Sequence, residues 1–286
     1  MGTNTGRTHY ERLELPDAAP KIKSFLTTSR ESTIQVTPHW HKETELLVFL
    51  AGYAVQQVDN RYFIASPGDI VIISKDQLHS TYSYENSQCE IQVVQFDSSV
   101  FSALMVPGSQ NLDLLAFNNP LSSAVPRYQG AAECLARMDR ELAGREPAYE
   151  LEAAASLLRF YSLVLRGGEY TSSPDGGLDD RRREALFQVL SLVEERYGED
   201  IPLERAARAA SLSVPQFCRV FKEATGMTFM SFLALYRVNR AEALLRTDKT
   251  MLEVAFESGF NSVSAFNRNF KRYKNYTPTE WLNELK

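Results

Sequence analysis

Two groups of residues in this chain have types and spacings that could do chemistry. His39 and His41 stand two apart, so on an extended strand they share one face. Glu45 follows four residues later, and His79 comes after a Pro67-Gly68-Asp69 turn. Three of the chain's four histidines fall in this set, so the clustering does not reflect a histidine-rich composition. Imidazole and carboxylate together suit zinc, iron or manganese. The same groups suit hydrogen bonds to the hydroxyls of a small ligand.

The second group lies in the tail, where one helical pattern is written twice. Phe217, Arg219, Phe221 and Lys222 recur as Phe266, Arg268, Phe270 and Lys271, offset by 49 positions. Each Phe pair is spaced i, i+4 and shares one helix face, which leaves the basic side chains on the other. A helix seated by aromatics and basic on its outer side can meet a polyanion, and two copies can meet it at two places. With the Phe pairs inward, the outward residues are Pro215, Cys218, Arg219 and Lys222 in the first copy, with Gln216 beside them. In the second copy they are Ser264, Asn267, Arg268 and Lys271. Guanidinium groups can grip guanine edges bidentately and Asn267 can read adenine. Lys222 and Lys271, toward the helix ends, suit phosphate contact, which adds affinity without sequence information. Each of these side chains has an alternative as part of a merely solvated face.

Elements must hold both groups in place. In the tail, Ile201-Pro202-Leu203-Glu204 opens a helix that carries Ala206, Ala207, Ala209 and Ala210. A turn at 211–213 follows, and Ser213 can cap the next helix. Thr250, Val254 and Ala255, then a turn at 259–262, repeat the plan. Small residues in each first helix let the second approach closely, the layout of a helix-turn-helix whose second helix enters the major groove. In the front half, 45–50, 53–58, 61–65, 69–73 and 90–96 read as short strands with turns between them, arguing for an antiparallel barrel or sandwich. Tyr53, Tyr62, Phe63, Tyr82 and Tyr84 lie on or beside these strands, where inward rings could line a pocket or simply fill a core. Between the halves, 128–143 and 148–166 show helical apolar spacing, with Leu135, Met138 and Leu142, then Leu151, Ala154, Leu158, Tyr161 and Leu165. That stripe suits either a dimer interface or packing against the chain's own barrel. Gly167-Gly168 and 172–177 read as a flexible linker.

The residues Ala207, Ser213, Phe217, Arg219, Phe221, Lys222, Gly226, Arg237 and Ala241, then Ala255, Gly259, Phe260, Phe266, Phe270, Lys271, Thr277 and Pro278, carry a resemblance. Residues 181–286 are similar to the DNA-binding domain of AraC/XylS-type transcription regulators, which implies two helix-turn-helix units joined by a long helix at about 228–245. Ser211 stands where the first turn of that family has Gly, and Asn275 where the second copy could have one. The spacing His39-x-His41, Glu45, Gly52 resembles the first cupin motif, and Asp69 to His79 resembles the second more loosely, without the Pro before the His. The resemblance implies an α+β chain: a cupin/jelly-roll-like antiparallel β-barrel over 1–120, a helical dimerisation segment over 121–166, a linker over 167–180, and an all-α double helix-turn-helix domain over 181–286. It implies a homodimeric, non-enzymatic regulator, classed with activators, with promoter DNA, RNA polymerase and a small-molecule effector as partners. That effector is expected to be a sugar held by His39, His41, Glu45, His79, Tyr53 and Tyr82. Competing readings make His39, His41, Glu45 and His79 a divalent metal site, either for sensing or structure or for a cupin enzyme with accessory DNA-binding helices.

Charge agrees with this division. Residues 181–286 hold 17 Lys and Arg against 13 Asp and Glu, a net +4, which leaves −9 on the first 180 residues of a chain at −5. Three scattered cysteines, Cys89, Cys134 and Cys218, imply no disulfide framework. No apolar run approaches membrane-spanning length, and no signal peptide is read at the start, so a cytoplasmic protein without membrane contact is expected.

Overall fold

Alternation along short strands builds the front half as two layers. The computed structural model describes residues 21–28, 34–59, 61–85, 87–97, 100–101, 115–122, 124–168, 170–171 and 180–284. Its strands are β1 (Ile22–Thr28), β2 (Ile34–His39), β3 (Thr44–Ala51), β4 (Ala54–Val58), β5 (Arg61–Ala65), β6 (Ile70–Ile73), β7 (His79–Ser83) and β8 (Glu90–Phe96). They form two four-stranded antiparallel sheets, ordered β1-β8-β3-β6 and β2-β7-β4-β5. The strands read from the sequence are all present. β1, β2 and β7 are not among them, because β1 is mostly polar and β2 carries Pro38, which weakens a strand signal.

Period-two alternation then assigns faces. Leu47, Phe49, Val71, Ile73, Ile91 and Val93 of the first sheet join Ala54, Val58 and Ala65 of the second in one apolar cluster between the sheets. The alternate residues Leu46, Val48, Ile70, Ile72, Val94 and Phe96 point the other way. There they meet α1 (Gln129–Gly144) and α2 (Tyr149–Gly167) through Leu135, Met138, Leu157 and Phe160. Of the two partners open to this apolar stripe, another chain or its own barrel, the barrel takes most of it. Leu135, Met138 and Tyr161 are buried, and Leu142, Leu158 and Leu165 pack against the same core. Leu151 stays 73% exposed. A two-stranded ribbon of β9 (Ala116–Phe117) and β10 (Tyr170–Thr171) ties the end of α2 back to the barrel. Of the expected linker, residues 172–179 lie outside the described residues.

The back half is helical. It comprises α3 (Asp180–Arg196), α4 (Leu203–Ala209), α5 (Val214–Thr225), α6 (Phe229–Leu245), α7 (Met251–Glu257), α8 (Val263–Lys274) and α9 (Pro278–Glu284). α3 is not read from the sequence as an element, although Leu186, Val189, Leu190 and Val193 follow the i, i+3, i+4, i+7 pattern and are all buried. α6 belongs to two cores at once. Phe229, Phe232, Leu233 and Tyr236 pack with α3, α4 and α5, whereas Leu235, Val238, Ala241 and Leu245 pack with α7 and α8. Two faces of one helix thus fix the spacing between the two helix-turn-helix units.

Candidate functional site

The two reading helices are built alike. Phe217 and Phe221 are buried with ring centroids 5.4 Å apart, and Phe266 and Phe270 with centroids 5.5 Å apart. Phe217 and Phe221 sit against Phe229, and Phe266 packs on Phe260 and Phe270 on Trp281. The first helices of the units, α4 and α7, start 48 residues apart, whereas α5 and α8 start 49 apart. The second turn is one residue longer. Ser211 takes a left-handed φ of 54° in the first turn and Gly259 one of 87° in the second. Gly226 and Asn275 end α5 and α8 in the same conformation, with φ of 72° and 63°. Asn275 tolerates the left-handed conformation, whereas Ser211 adopts it without glycine's freedom.

Pro215, Gln216, Cys218, Arg219, Lys222, Ser264, Asn267, Arg268 and Lys271 are all exposed. Gln216 has a prior engagement: its Oε1 accepts from Ser213 Oγ at 2.8 Å and from Ser213 N at 3.3 Å, closing a capping box at the start of α5. Ser262 caps α8 by accepting from Ala265 N at 3.1 Å. Arg272, also exposed in the last turn of α8, continues the basic run Lys271-Arg272-Lys274, its guanidinium 5.3 Å from the centroid of the Tyr273 ring.

In the barrel the structure brings the histidines together. His39 ends β2, His79 begins β7 and pairs with it, and His41 follows two residues after His39. Their ring centroids lie 4.0 Å (His39–His79), 4.9 Å (His41–His79) and 5.8 Å (His39–His41) apart. One ligand nitrogen from each lies within 4.8 Å of the others. Glu45 reaches them from β3 in the opposite sheet, its Oε2 at 3.4 Å from His41 Nε2 and its Oε1 at 3.5 Å from His79 Nε2. Gln95 Nε2 donates to Glu45 Oε2 at 2.6 Å. All four site residues are buried.

The local backbone sets the tautomers. His39 Nδ1 lies 2.9 Å from Thr37 O, His41 Nδ1 2.8 Å from Glu43 O, and His79 Nδ1 2.9 Å from Gln77 O. A carbonyl oxygen can only accept, so each Nδ1 carries a proton and Nε2 is the nitrogen left to face a ligand. Burial, with His79 and His41 beside it, pushes the His39 imidazole well below its ordinary value, so it is neutral as a ligand must be. Burial alone would raise the Glu45 carboxyl, but hydrogen bonds from His41 and His79 hold it well below the usual carboxylate range. A buried carboxylate thus faces a group of imidazole nitrogens, and this donor set fits a divalent transition metal. The carbonyl partners are the outer supports that fix such ligands.

Tyr53 and Tyr82 do not join the cluster. Tyr53 is 47% exposed at the start of the β3–β4 hairpin's return. Tyr82 lies on the opposite face of β7 from His79, and its hydroxyl donates to Thr225 O of α5 at 3.1 Å. Strand alternation explains the miss: three residues from His79, Tyr82 falls on the other face. Gln56, Thr81 and Gln95 are the polar groups that do lie inward. Thr81 Oγ1 donates to Gln56 Oε1 at 2.8 Å.

A double-layered antiparallel barrel joined to two helix-turn-helix units defines the class, a DNA-binding regulator with a ligand-binding front domain. The comparisons agree. The AraC-like ligand binding domain matches residues 22–161 and the helix-turn-helix domain residues 206–284, and the chain belongs to the AraC-type transcription regulators. It is a regulator and not an enzyme. Over 96% of its length it is 26% identical to the HTH-type transcriptional regulator YdeC of Bacillus subtilis, covering 94% of that protein. It is 24% identical to the HTH-type transcriptional activator RhaS of Citrobacter koseri, over 85% of this chain and 86% of that one. Among solved structures, ToxT from Vibrio cholerae bound to (E)-4-(8-methylnaphthalen-1-yl)but-3-enoic acid aligns at 17% identity and a TM-score of 0.46, covering 93% of this chain and 99% of ToxT. The DNA-binding domain of AdpA in complex with a target DNA aligns at 28% identity and a TM-score of 0.34, covering 35% of this chain and 91% of that one. Among the described residues no helix is long and apolar enough to cross a membrane.

Proposed function

We propose that the barrel of this regulator takes a divalent transition-metal ion on His39, His41, Glu45 and His79, and that occupancy of this site governs how the two helix-turn-helix units meet promoter DNA. The observation that supports it is the shared geometry. Three buried imidazoles each set Nδ1 against a backbone carbonyl, one ring nitrogen of each lies within 4.8 Å of the others, and His41 and His79 turn Nε2 toward the buried Glu45 carboxylate. When bound, the ion supplies a fixed positive centre that can also take an oxygen atom of a small effector. A carbohydrate effector keeps less support, because Tyr53 and Tyr82 lie away from the inner face on which a sugar ring would stack. On DNA, Arg219, Asn267 and Arg268 read base edges while Lys222 and Lys271 hold phosphates. Pairing of two chains and contact with RNA polymerase, which the family resemblance implies, belong to the same proposal.

The test is equilibrium dialysis of the EDTA-treated full chain against zinc, manganese, iron(II) or nickel, together with thermal melting. The expected result is about one ion per chain and a rise in melting temperature, since an ion at 100 times its Kd adds about 2.7 kcal/mol. His79→Ala and His41→Ala should lose both effects. A wild-type chain that binds none of these ions at micromolar concentration refutes the proposal.

A further inference from the structure

A buried glutamine needs partners for both ends of its amide, and Gln95 has one for only one end. It lies on β8 directly opposite Glu45 of β3, and the two side chains share the inner face of the first sheet. Gln95 is 1% exposed. Its Nε2 donates to Glu45 Oε2 at 2.6 Å, a short bond of the kind a carboxylate makes. A carboxylate can only accept, which settles the amide's orientation: the nitrogen faces Glu45 and Oε1 is the other end. That Oε1 is buried without a hydrogen-bond partner. An orphaned acceptor costs about 1–3 kcal/mol, which an apolar side chain of the same length would avoid. Gln95 is therefore poorly suited to filling a core and well suited to one task, holding Glu45.

What that hold does follows from the two oxygens. Oε2 takes the Gln95 hydrogen and also lies 3.4 Å from His41 Nε2, whereas Oε1 lies 3.5 Å from His79 Nε2. A donor on Oε2 draws charge from that oxygen and keeps the carboxylate from turning, so the two oxygens are no longer equivalent and Oε1 is the better donor. We propose that Gln95 is a positioning residue that fixes Glu45 as a one-oxygen ligand, and so makes the inner site selective for a four-coordinate ion, zinc, over a cation that takes more ligands, such as manganese. The inference rests on the metal reading above and adds which ion that site is built to take. Three imidazole nitrogens and one carboxylate oxygen make four donors, the number zinc prefers. Manganese favours octahedral, oxygen-rich surroundings, and a carboxylate free to bring both oxygens to an ion would supply a fifth donor. Gln95 withholds it.

Zinc outbinds manganese at almost any site of nitrogen and oxygen donors, so the readout is the change in the ratio of the two affinities. The EDTA-treated full chain and its Gln95→Met and Gln95→Leu variants are titrated with each ion, zinc by competition with a chromophoric chelator and manganese by the paramagnetic resonance of the free ion. Gln95→Met keeps the length of the side chain and removes both polar atoms of the amide. Its zinc affinity should fall about 10- to 100-fold, the usual cost of losing an outer support, while manganese falls less, so that the ratio narrows by at least about threefold. Cobalt(II) in the wild-type site should give the intense visible absorption of a four-coordinate ion, and in Gln95→Met the weaker absorption of a higher coordination number. An unchanged ratio, equal losses for both ions, a weak cobalt spectrum in wild type or one that stays intense in Gln95→Met overturns the assignment of Gln95 while leaving the metal site standing. A wild type that binds no ion refutes the metal reading itself, and the role of Gln95 falls with it. Should Gln95→Met not fold, Gln95→Leu gives the same comparison, and the wild-type cobalt spectrum decides independently of either variant.

Discussion

Replacing Gly259 by alanine is expected to destabilise the helical half by about 2.5–5 kcal/mol, and the sum can be built from the turn itself. Gly259 sits at φ 87°, where a side chain costs about 1–2 kcal/mol. A Cβ there would overlap the Tyr197 carbonyl oxygen and lie 2.7 Å from Arg237 Nε and 3.1 Å from Gly198 Cα. Those are the atoms that join α3 to α6: Arg237 Nε donates to Tyr197 O at 2.8 Å, and its NH2 group to Glu199 O at 2.7 Å. Moving the guanidinium away forfeits hydrogen bonds from a charged group, about 1.5–3 kcal/mol. For a unit of this size 1 kcal/mol corresponds to about 4–8 °C, so the helical transition should fall by at least about 10 °C. Thermal unfolding followed by circular dichroism measures it. Gly226→Ala is the control: at a similar φ of 72° its Cβ would meet only the flexible tip of Tyr62, so it should lose no more than the backbone strain of about 1–2 kcal/mol. If Gly259→Ala melts no lower than Gly226→Ala, the claim that this turn is locked by the Tyr197–Arg237 contact is wrong.

Arg268→Ala should relax base preference at one position of a selected duplex at a cost of about 1–3 kcal/mol, whereas Lys271→Ala should weaken all sequences alike and reduce the salt slope by about one. An unaltered preference after Arg268→Ala would remove α8 as the reading helix. In the barrel, Glu45→Gln should weaken zinc binding by at least about tenfold while keeping the shape of the site, as measured by competition with a chromophoric chelator; equal affinity would show that the carboxylate is not a ligand.

The reading helices were legible because their chemistry is local: Phe pairs at i, i+4 and basic residues opposite them appear twice, and the structure buries and exposes them as that spacing requires. The histidine set was legible for the same reason, since His39 and His41 must share a strand face. What stayed hidden depended on what covers each face. The spacing of Leu135, Met138 and Tyr161 is the same whether a helix pair meets another chain or its own barrel, and here the first sheet of the barrel takes it. Trp40 and Tyr82 show the same limit in the other layer. Alternation places them outside, but only the fold brings α3 and α5 against them. Tyr53 and Tyr82 lie on or beside the barrel strands, where an inward ring would line a pocket, but Tyr53 is exposed and the parity of β7 turns Tyr82 to the outer face.

As proposed, occupancy of the inner site by an ion controls the DNA reader. The most direct test is the affinity of the full chain for its selected duplex, measured with saturating zinc and again in EDTA, in wild type and in His79→Ala. A coupling of the usual size predicts about a 5- to 150-fold difference between the two conditions in wild type and none in His79→Ala. Identical affinities in wild type, with zinc shown to be bound, would contradict the claim.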